Sequence, residues 1–408
     1  MKTVIIFIAG LSVTVLTATE PVFKCNFDGN CDSVSGKRHC RGNFSRASIA
    51  SDPETFKIYT PNQPRFIRSD NGKGIFMEPE RTNICLFSDF ELFGKLSVRK
   101  NLPLWKDNFI RKNGVKIGTV TLDETMKVCG RYSLEIALET DMDTYDNVVY
   151  QSAIKHELGK RYTTSLYLKT GENFENCKPK VFLQFWLNKL SRSKEWIFRP
   201  GSTDSGNIPR WRRFQTSYNG RGNGYYTLYF NLFTRHSFPA KGVLWVDAVQ
   251  IEETENFASS YIPTGRKPVT RQGEVLKYSS SGNLNKDKGK IVISVKSSPY
   301  GNIWNDFLQH YFFDEGHLAI FKDCLNNIVF SDGKNKVKLK CDQFVKTEFY
   351  KITAHWDKRK LNVAVKGETN EKNRNTAEFN LNEWMYVGSD SDGHFQADGI
   401  IDYIEISQ

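Results

Sequence analysis

Beyond its first residues, the 408-residue sequence has no apolar run approaching the roughly 20 residues that a membrane-spanning helix needs. It also lacks internal repeats and long stretches with the 3.6-residue periodicity of helices. The first absence predicts a mature protein that is soluble and has no membrane span. The absence of helical periodicity argues against a mainly helical fold.

Motifs for common chemistries are also missing. No nucleic-acid-binding motif is present, so nucleic acid is not an expected partner. No Gly-x-Ser-x-Gly nucleophile elbow occurs. The seven histidines are scattered, and the closest pairing with a tyrosine, His310-Tyr311, fits no recognisable lyase motif. We therefore predict no catalytic residues.

Acidic residues are fewer than basic ones. Lys and Arg number 57 against 46 Asp and Glu, which gives a formal net charge of +11. A surplus of this size favours polyanionic partners such as acidic polysaccharide, sulfated glycan or an anionic cell surface. The alternative is a basic surface that serves only solubility.

The first 18 residues resemble a secretory signal peptide. Lys2 supplies a positive start, residues 4–16 form a short apolar segment, and cleavage after Ala18 is predicted. The protein is therefore expected to be secreted. The sequence Asn43-Phe44-Ser45 is a glycosylation sequon, which matters only in a eukaryotic source.

Eight cysteines follow the predicted cleavage site, and an even number in an exported chain indicates disulfides. Cys25, Cys31, His39 and Cys40 form the one cluster that zinc could use, but their spacing fits no standard zinc finger. Cys324 and Cys341 stand apart from the others, so we predict that they pair. Closing that loop would stabilise the fold by about 3 kcal/mol. The remaining pairings stay open.

Many short runs of β-branched and aromatic residues, bounded by turn residues, predict an all-β protein. In one of them Tyr226, Leu228, Phe230 and Leu232 alternate with polar or smaller residues, as in a half-buried strand. The polar segment 278–290 is interpreted as a linker or exposed loop. Length and strand spacing predict two tandem β-sandwich (jelly-roll) domains behind a cysteine-bearing N-terminal leader.

Three stretches in order resemble known modules. They are Phe44-Ser45-Arg46-Ala47-Ser48 with Pro64-Arg65-Phe66 and Gly74 to Asn83, then Asn83 to Trp105, then Trp245 to Glu252 with Ser260 to Thr264 and Val269-Thr270-Arg271. The first is similar to the leader of bacteriophage tail and structural proteins. The other two resemble the opening and closing strands of carbohydrate-binding jelly-roll modules. The cysteines and signal peptide depart from the phage family, which favours reuse of these modules in a secreted protein.

The resemblance implies domain boundaries. We expect a signal peptide at 1–18, a leader at 19–82, a carbohydrate-binding jelly roll at 83–272, and a laminin-G-like or concanavalin-like sandwich at 285–408. It also implies a structural calcium ion, because Asp247 and Glu91 match two carboxylates that hold calcium in such modules. Calcium needs six to eight oxygen ligands. The alternative for these two residues is a salt-bridged or solvated pair.

Sugar binding needs flat aromatic faces for the C–H side of a pyranose ring and planar polar groups for its hydroxyls. We predict that Gln184, Trp186, Trp196 and Tyr226 provide them, with Gln184 and Trp186 on one face of a strand. Arg212, in the cluster Arg210, Arg212 and Arg213, could bind sulfate or carboxylate. For each aromatic the alternative is a place in the core, and for the arginines a solvated face. Trp211 and Trp245 are interpreted as structural.

The sequence thus predicts a secreted lectin-like protein that binds extracellular or cell-surface glycans, and its charge favours acidic ones. One alternative is a structural or adhesive surface or virion protein without glycan specificity. Another is a polysaccharide hydrolase or lyase. Glycoside hydrolysis needs two flanking carboxylates, and the strand bearing Asp402 and Glu405 has Ile400 where the nucleophile would stand. Neither the glycan nor the oligomeric state is predicted.

Overall fold

A computed structural model describes most of the chain beyond residue 22. The described residues are 23–27, 33–35, 38–40, 42–48, 50–51, 57–69, 72–86, 88, 90, 105–107, 111–112, 115–116, 118–140, 147–172, 177–188, 190–199, 206–234, 240–254, 257–265, 267–298, 304, 308–341, 344–345, 347–375 and 379–408. The predicted signal peptide, 1–18, lies outside them, so cleavage and secretion stay predictions.

The described residues form strands and no α-helix, which confirms the all-β class. The strands of the leader are β1 (Phe23–Asn26), β2 (Ser33–Ser35), β3 (Arg38–Cys40), β4 (Asn43–Ser45), β5 (Ala50–Ser51), β6 (Ile58–Tyr59), β7 (Phe66–Ser69), β8 (Gly72–Met77) and β9 (Arg81–Asn83).

The middle part of the chain continues with longer strands. They are β10 (Trp105–Asp107), β11 (Arg111–Lys112), β12 (Val115–Lys116), β13 (Gly118–Asp123), β14 (Ser133–Thr140), β15 (Asn147–Ile154), β16 (Arg161–Thr170), β17 (Cys177–Leu187), β18 (Leu190–Phe198), β19 (Arg212–Asn219), β20 (Tyr225–Thr234), β21 (Ala240–Glu253) and β22 (Val269–Arg271).

The last part holds eleven strands. They are β23 (Val275–Ser279), β24 (Gly289–Ser297), β25 (His310–Asp314), β26 (Ala319–Lys322), β27 (Asn327–Ser331), β28 (Lys336–Lys340), β29 (Tyr350–Trp356), β30 (Lys360–Val365), β31 (Glu368–Asn373), β32 (Trp384–Val387) and β33 (Gly399–Ser407). None of the described segments is a helix long and apolar enough to cross a membrane.

Two sheets make the middle sandwich. One has five strands in the order β10-β15-β20-β17-β18, and the other has seven, with β13-β14-β21-β16-β19 as its main path, β9 on β21 and β22 on β9. Their inward side chains share one core that includes Leu134, Leu166, Leu183, Leu228 and Val246. Period-2 alternation sends every second side chain into this core and the others to the outer faces.

Two further sheets make the C-terminal sandwich. The first runs β3-β2-β1-β33-β24-β29-β30-β31, with β8 on β33 and β7 on β8, and the second runs β28-β27-β26-β25-β32-β23-β4. The core between them contains Trp304 and Trp356, both fully buried. Strand β29 alternates buried and more exposed residues along its length, as a strand with one face on the core should.

The leader belongs to the C-terminal sandwich. Strands β1 and β8 both pair with β33, and β4 pairs with β23. This sandwich also starts earlier than residue 285, because β23 begins at Val275. Residues 280–288 are turns and coil, as predicted for part of 278–290, but Tyr278 is a fully buried strand residue. The middle sandwich is thus inserted between β8 and β23.

Five charged side chains lie fully buried where the chain enters and leaves the middle sandwich. Both nitrogens Nε and Nη2 of Arg65 bond the Glu274 carboxylate, at 2.8 and 2.6 Å. Arg65 Nη1 reaches Glu78 at 2.7 Å. Arg46 Nη1 contacts Glu274 at 2.8 Å, and Arg271 Nη1 contacts Glu78 at 3.2 Å. We call these five residues the buried ion network.

The network keeps Glu78 and Arg65 ionised. Burial by itself would raise the pKa of Glu78, but the charges of Arg271 and Arg65 and hydrogen bonds from Ser260 lower it to about 2. Burial alone would lower the pKa of Arg65, and the two carboxylates raise it above its ordinary value. A buried charge destabilises the fold unless it has a partner of opposite charge. Removing one member of the network therefore leaves the others as uncompensated buried charges.

The buried ion network predicts a large effect for Glu274→Gln. This change leaves Arg46 and Arg65 without their shared carboxylate, and we expect a loss of about 3–5 kcal/mol in the free energy of unfolding. Denaturant unfolding measures it. The matched control is Glu371→Gln, which breaks the exposed ion pair with Lys360 and should cost less than about 1 kcal/mol. Equal losses in the two variants would contradict a central role for the network.

His156 lies buried in an aromatic cluster of the middle sandwich. Its ring contacts those of Tyr162, Tyr218 and Tyr226, with centroids 4.0, 5.4 and 4.5 Å away. Its Nε2 is 2.9 Å from the Tyr218 hydroxyl. Burial lowers the pKa of His156 to about 4, against the weaker opposite effect of the Ile154 carbonyl. The imidazole is therefore neutral in the folded protein at neutral pH.

This pKa predicts acid sensitivity. The unfolded chain takes up a proton at His156 below its ordinary pKa of about 6.5, whereas the folded chain resists until about pH 4. The contribution of His156 to the free energy of unfolding is therefore fully present above about pH 6.5, and it falls by about 3 kcal/mol as the pH drops to about 4. Unfolding free energies of the wild type and His156→Gln, measured across this range, should converge as pH falls. Parallel curves would contradict the prediction.

Candidate functional site

The outer face of the five-stranded sheet gathers aromatic side chains. Along β17, Val181, Leu183 and Phe185 enter the core, so alternation turns Phe182, Gln184 and Trp186 to the outer face. The predicted placement of Gln184 and Trp186 on one side of the strand agrees with this geometry.

Strand register brings three aromatic rings together on this face. Phe182 is opposite Trp196 on β18 and Tyr229 on β20. The Phe182 ring lies 5.0 Å from that of Trp196 and 5.2 Å from that of Tyr229, in tilted and stacked arrangements. Cross-strand aromatic pairs of this kind stabilise a sheet and fix ring orientations. We call Phe182, Gln184, Trp186, Trp196 and Tyr229 the aromatic face.

Two cations border the aromatic face. Lys194 Nζ lies 4.6 Å from the Phe182 ring centroid and 5.9 Å from that of Trp196. The Arg199 guanidinium lies 4.9 Å from the Trp196 ring. Cations attracted to ring faces in this way hold the indole in place and add positive potential beside it. The face therefore combines apolar platforms with groups that attract anions.

Trp186 carries an unsatisfied donor. Its side chain is half-buried, and its Nε1 is buried with no hydrogen-bond partner among the described residues. A buried N–H without an acceptor costs about 1–3 kcal/mol. Gly224 packs closely against the end of β17, where a larger residue does not fit because its Cβ would lie 2.3 Å from the Trp186 carbonyl oxygen.

Exposure differs across the aromatic face. Phe182, Gln184 and Tyr229 are 2, 8 and 7% exposed, whereas Trp186 and Trp196 are half-buried. The two tryptophans are thus its accessible members, and the other three support them. Phe182, Tyr229, Lys194 and Arg199 were not predicted from sequence. The sequence signal that could have indicated Phe182 is its position two residues before Gln184 in the strand, which puts both side chains on the same face as Trp186.

Tyr226 does not belong to this face, so its prediction as a sugar-binding residue was wrong. It pairs with Phe185 in the core and is fully buried. Its hydroxyl donates to the Asn219 carbonyl at 3.1 Å. Its neighbour Tyr225 is the half-buried residue opposite Trp186, because adjacent strand residues point to opposite faces.

The arginine cluster lies on the other sheet. Arg212 begins β19 of the seven-stranded sheet, is exposed, and has its guanidinium 5.2 Å from the Phe214 ring. Arg213 donates to the Ser165 hydroxyl at 2.8 Å and to the Ser259 carbonyl at 2.7 Å. The structure therefore does not bring Arg212 together with Trp186 and Trp196.

Asp247 is buried and bonded by backbone amides. Its Oδ2 accepts from the N–H groups of Val128 and Cys129 at 2.7 and 3.1 Å, and its Oδ1 accepts from that of Ala248 at 2.6 Å. No group of three or more His, Cys, Asp or Glu in the described part of the chain could hold a metal. Amide donors occupy oxygens that calcium would need, so the described surroundings do not fit the ion. Glu91 lies outside the described residues, and the calcium site stays a prediction.

The other predicted sites occupy the C-terminal sandwich. Cys324 is exposed and Cys341 half-buried. The Cys341 N–H donates to the Asn326 carbonyl at 3.0 Å, which brings the turn containing Cys324 beside the end of β28; the disulfide stays a prediction. Asn43 is exposed on β4, an edge strand, so the sequon is accessible to a glycosyltransferase.

The residues weighed for hydrolysis do not form a pair of free carboxylates. Ile400 packs with Ile67 and Phe76 on the outer side of β33. Asp402 is buried, and Glu405 makes an ion pair with Lys24 at 3.9 Å. This part of the fold offers no two facing carboxylates of the kind that glycoside hydrolysis needs.

Fold and site define an all-β protein with two β-sandwiches and an aromatic outer face. No family model and no curated protein matches the chain. Similar solved structures are the CBM22-1 xylan-binding domain of Paenibacillus barcinonensis Xyn10C (13% identity, 43% of this chain, 94% of that chain, TM-score 0.29) and its CBM22-1-CBM22-2 tandem (12%, 81%, 99%, 0.28). Domains LG4-5 of mouse laminin alpha1 are a third (9%, 64%, 86%, 0.25). Function therefore has to be argued from this chain's own residues.

The anchoring of Asp247 predicts the effect of Asp247→Asn. Asn keeps one acceptor oxygen but places an NH2 donor where the second carboxylate oxygen accepts a backbone N–H, so we expect a loss of about 1–3 kcal/mol in unfolding free energy, even in EDTA. Thermal and denaturant unfolding with EDTA or calcium measure it. A loss seen only with calcium, and reproduced by Glu91→Gln, would instead support the calcium site and contradict metal-independent anchoring.

Proposed function

We propose that this protein is a secreted glycan-binding protein and that the aromatic face is its binding surface. The observation that carries the proposal is the placement of Trp186, Trp196 and Gln184 on one sheet face. Half-buried indoles offer the flat apolar surface against which a pyranose ring packs. Gln184 is 8% exposed, so it supports the two indoles on this face and is not itself the contact surface.

The charge around the aromatic face supports acidic glycans as ligands. Lys194 and Arg199 lie against its rings, and the whole chain carries a net charge of +11. Both would raise the local concentration of a polyanion. Binding, rather than hydrolysis, is proposed because Asp402 and Glu405, the two carboxylates weighed for hydrolysis, do not form a facing pair: Asp402 is buried and Glu405 is paired with Lys24.

A structural or adhesive role, such as that of a surface or virion protein, is the second candidate. The buried ion network favours it, because the network ties the leader and both junctions of the middle sandwich into one rigid connection. Rigid coupling of domains suits an extended surface protein. The phage tail and structural proteins that the leader resembles belong to this functional class.

A glycan array tests the proposed function through Trp196→Ala. Loss of the indole should weaken binding about tenfold or more, since stacking and burial of one ring contribute about 1–3 kcal/mol. The matched control is Trp384→Ala, since Trp384 is also half-buried beneath a cation, with Lys277 Nζ 4.4 Å from its ring, but lies in the other sandwich. Lys194→Gln should weaken the binding of acidic glycans and leave the binding of neutral glycans unchanged.

Three results would count against the proposal. A blank array for the wild type would favour the structural role. Equal losses for Trp196→Ala and Trp384→Ala would show that the aromatic face is not the binding surface. Release of reducing sugar or unsaturated uronate from a bound polysaccharide would identify an enzyme instead.

A further inference from the structure

The opposite side of the middle sandwich carries a groove that the proposed function does not use. It has a volume of about 1030 Å³ and lies on the outer face of the seven-stranded sheet, over β13, β14, β16 and β21. Its volume is at the upper end of the range typical of small-ligand sites. Small residues keep it open, namely Gly118, Ala137, Gly171 and Gly242.

Trp245 forms part of the groove floor. The sequence predicts a structural role for it, yet its side chain is half-buried and lines the groove. Its Nε1 donates to Asp123 Oδ2 at 2.9 Å, which fixes the orientation of the indole. A Cβ at Gly171 would lie 3.7 Å from the indole ring, so Gly171 leaves the ring edge clear. The groove thus contains a pre-oriented aromatic platform.

Lys169 stands beside the platform. It is directly opposite Trp245 on the neighbouring strand, with its Nζ 5.7 Å from the indole ring centroid and 3.2 Å from Met126 Sδ. Among the described residues no carboxylate lies within ion-pair distance of this ammonium group. A half-buried cation whose nearest partner is a thioether gains most from an incoming anion.

The walls add polar groups but no net charge. Lys241 and Glu172 line the groove with opposite charges, so the net positive charge of the lining is that of Lys169. Thr170 donates its hydroxyl to Asn207 Oδ1 at 2.6 Å, and Thr170 in turn accepts the Ile208 N–H at 2.7 Å. This chain of bonds holds the Asn207 amide at the groove wall, where planar amides suit sugar hydroxyls.

We propose that this groove is a second binding site, specific for an acidic oligosaccharide, in which one sugar ring packs on Trp245 and its carboxylate or sulfate binds Lys169. The site is independent of the aromatic face, because the two lie on different sheets of the same sandwich. A neutral glycan could pack on Trp245 but could not form an ion pair with Lys169. Acidic sugars should therefore be preferred here.

The test is titration calorimetry of the full mature chain at physiological salt with three probes. These are an oligogalacturonate, a sulfated oligosaccharide and a neutral oligosaccharide of equal length. Lys169→Gln should weaken the preferred acidic probe about tenfold or more, as for a charged hydrogen bond, and leave the neutral probe unchanged. The uronate and sulfate arms show which anion is bound.

Three further variants separate binding in the groove from other causes. Lys351→Gln removes an equal charge from an exposed position on β29, in the other sandwich, and should leave binding unchanged. Trp245→Phe keeps an aromatic ring without the bond to Asp123, so it should weaken all binding in the groove while the protein stays folded by near-UV circular dichroism. Trp196→Ala should not affect the groove.

The proposal is overturned if no acidic probe binds, or if Lys169→Gln and Lys351→Gln reduce binding equally, since general positive charge would then explain the contact. Loss of all acidic binding in Trp196→Ala with none in Lys169→Gln would place the ligand on the aromatic face alone. Failure of array binding at the aromatic face, with Lys169-dependent binding retained, would overturn the proposed function but not this site.

Discussion

The buried ion network is the interaction on which the arrangement of this chain depends. Arg65 joins Glu78, which follows β8, to Glu274, which precedes β23. These two carboxylates flank the inserted middle sandwich on both sides. Because all the side chains are fully buried, none can exchange its partner for water. The network therefore fixes where the chain leaves one sandwich and where it returns.

Strand pairing repeats this constraint. Strand β9, on the way into the middle sandwich, pairs with β22, on the way out, and also with β21 inside it. The Ser260 N–H and hydroxyl both bond Glu78, which ties the end of the inserted sandwich to the same network. The outer faces of the middle sandwich are consequently held at a fixed position relative to the remainder of the chain. This rigidity serves either a binding or a structural role.

Local pattern predicted the fold class and part of the site, because strand alternation is a local property. It placed Gln184 and Trp186 on one face. The same rule argued against Tyr226, since its alternation with Leu228 and Phe230 marks the core side of β20. The ion network was not predicted, although Arg46, Arg65, Glu78 and Arg271 fall within the stretches that resemble known modules. Pairing of residues 209 positions apart leaves no local trace.

The position of the leader in the C-terminal sandwich could not be predicted either, because nothing in the sequence near residues 23–26 indicates that they pair with residues 403–406. The groove over Trp245 was missed for a related reason. Its floor is assembled from four strands, and its openness depends on small residues that carry no chemistry of their own. A single tryptophan in an apolar strand is ordinarily assigned to the core, and only the sheet neighbours show otherwise.

Strand β33 lies between β1, β8 and β24 in the interior of the ten-stranded sheet. During synthesis the residues of β33 emerge after every other described strand. Strands β1 and β8 must therefore remain without β33 while more than 300 residues are translated. The middle sandwich has all its own sheet strands much earlier and can fold first. The C-terminal sandwich then completes its sheets late and slowly, since contacts so distant in sequence form slowly. Strands β1 and β8 pair only with β2 and β7 throughout that interval, so each leaves one edge exposed as a template for pairing with another chain.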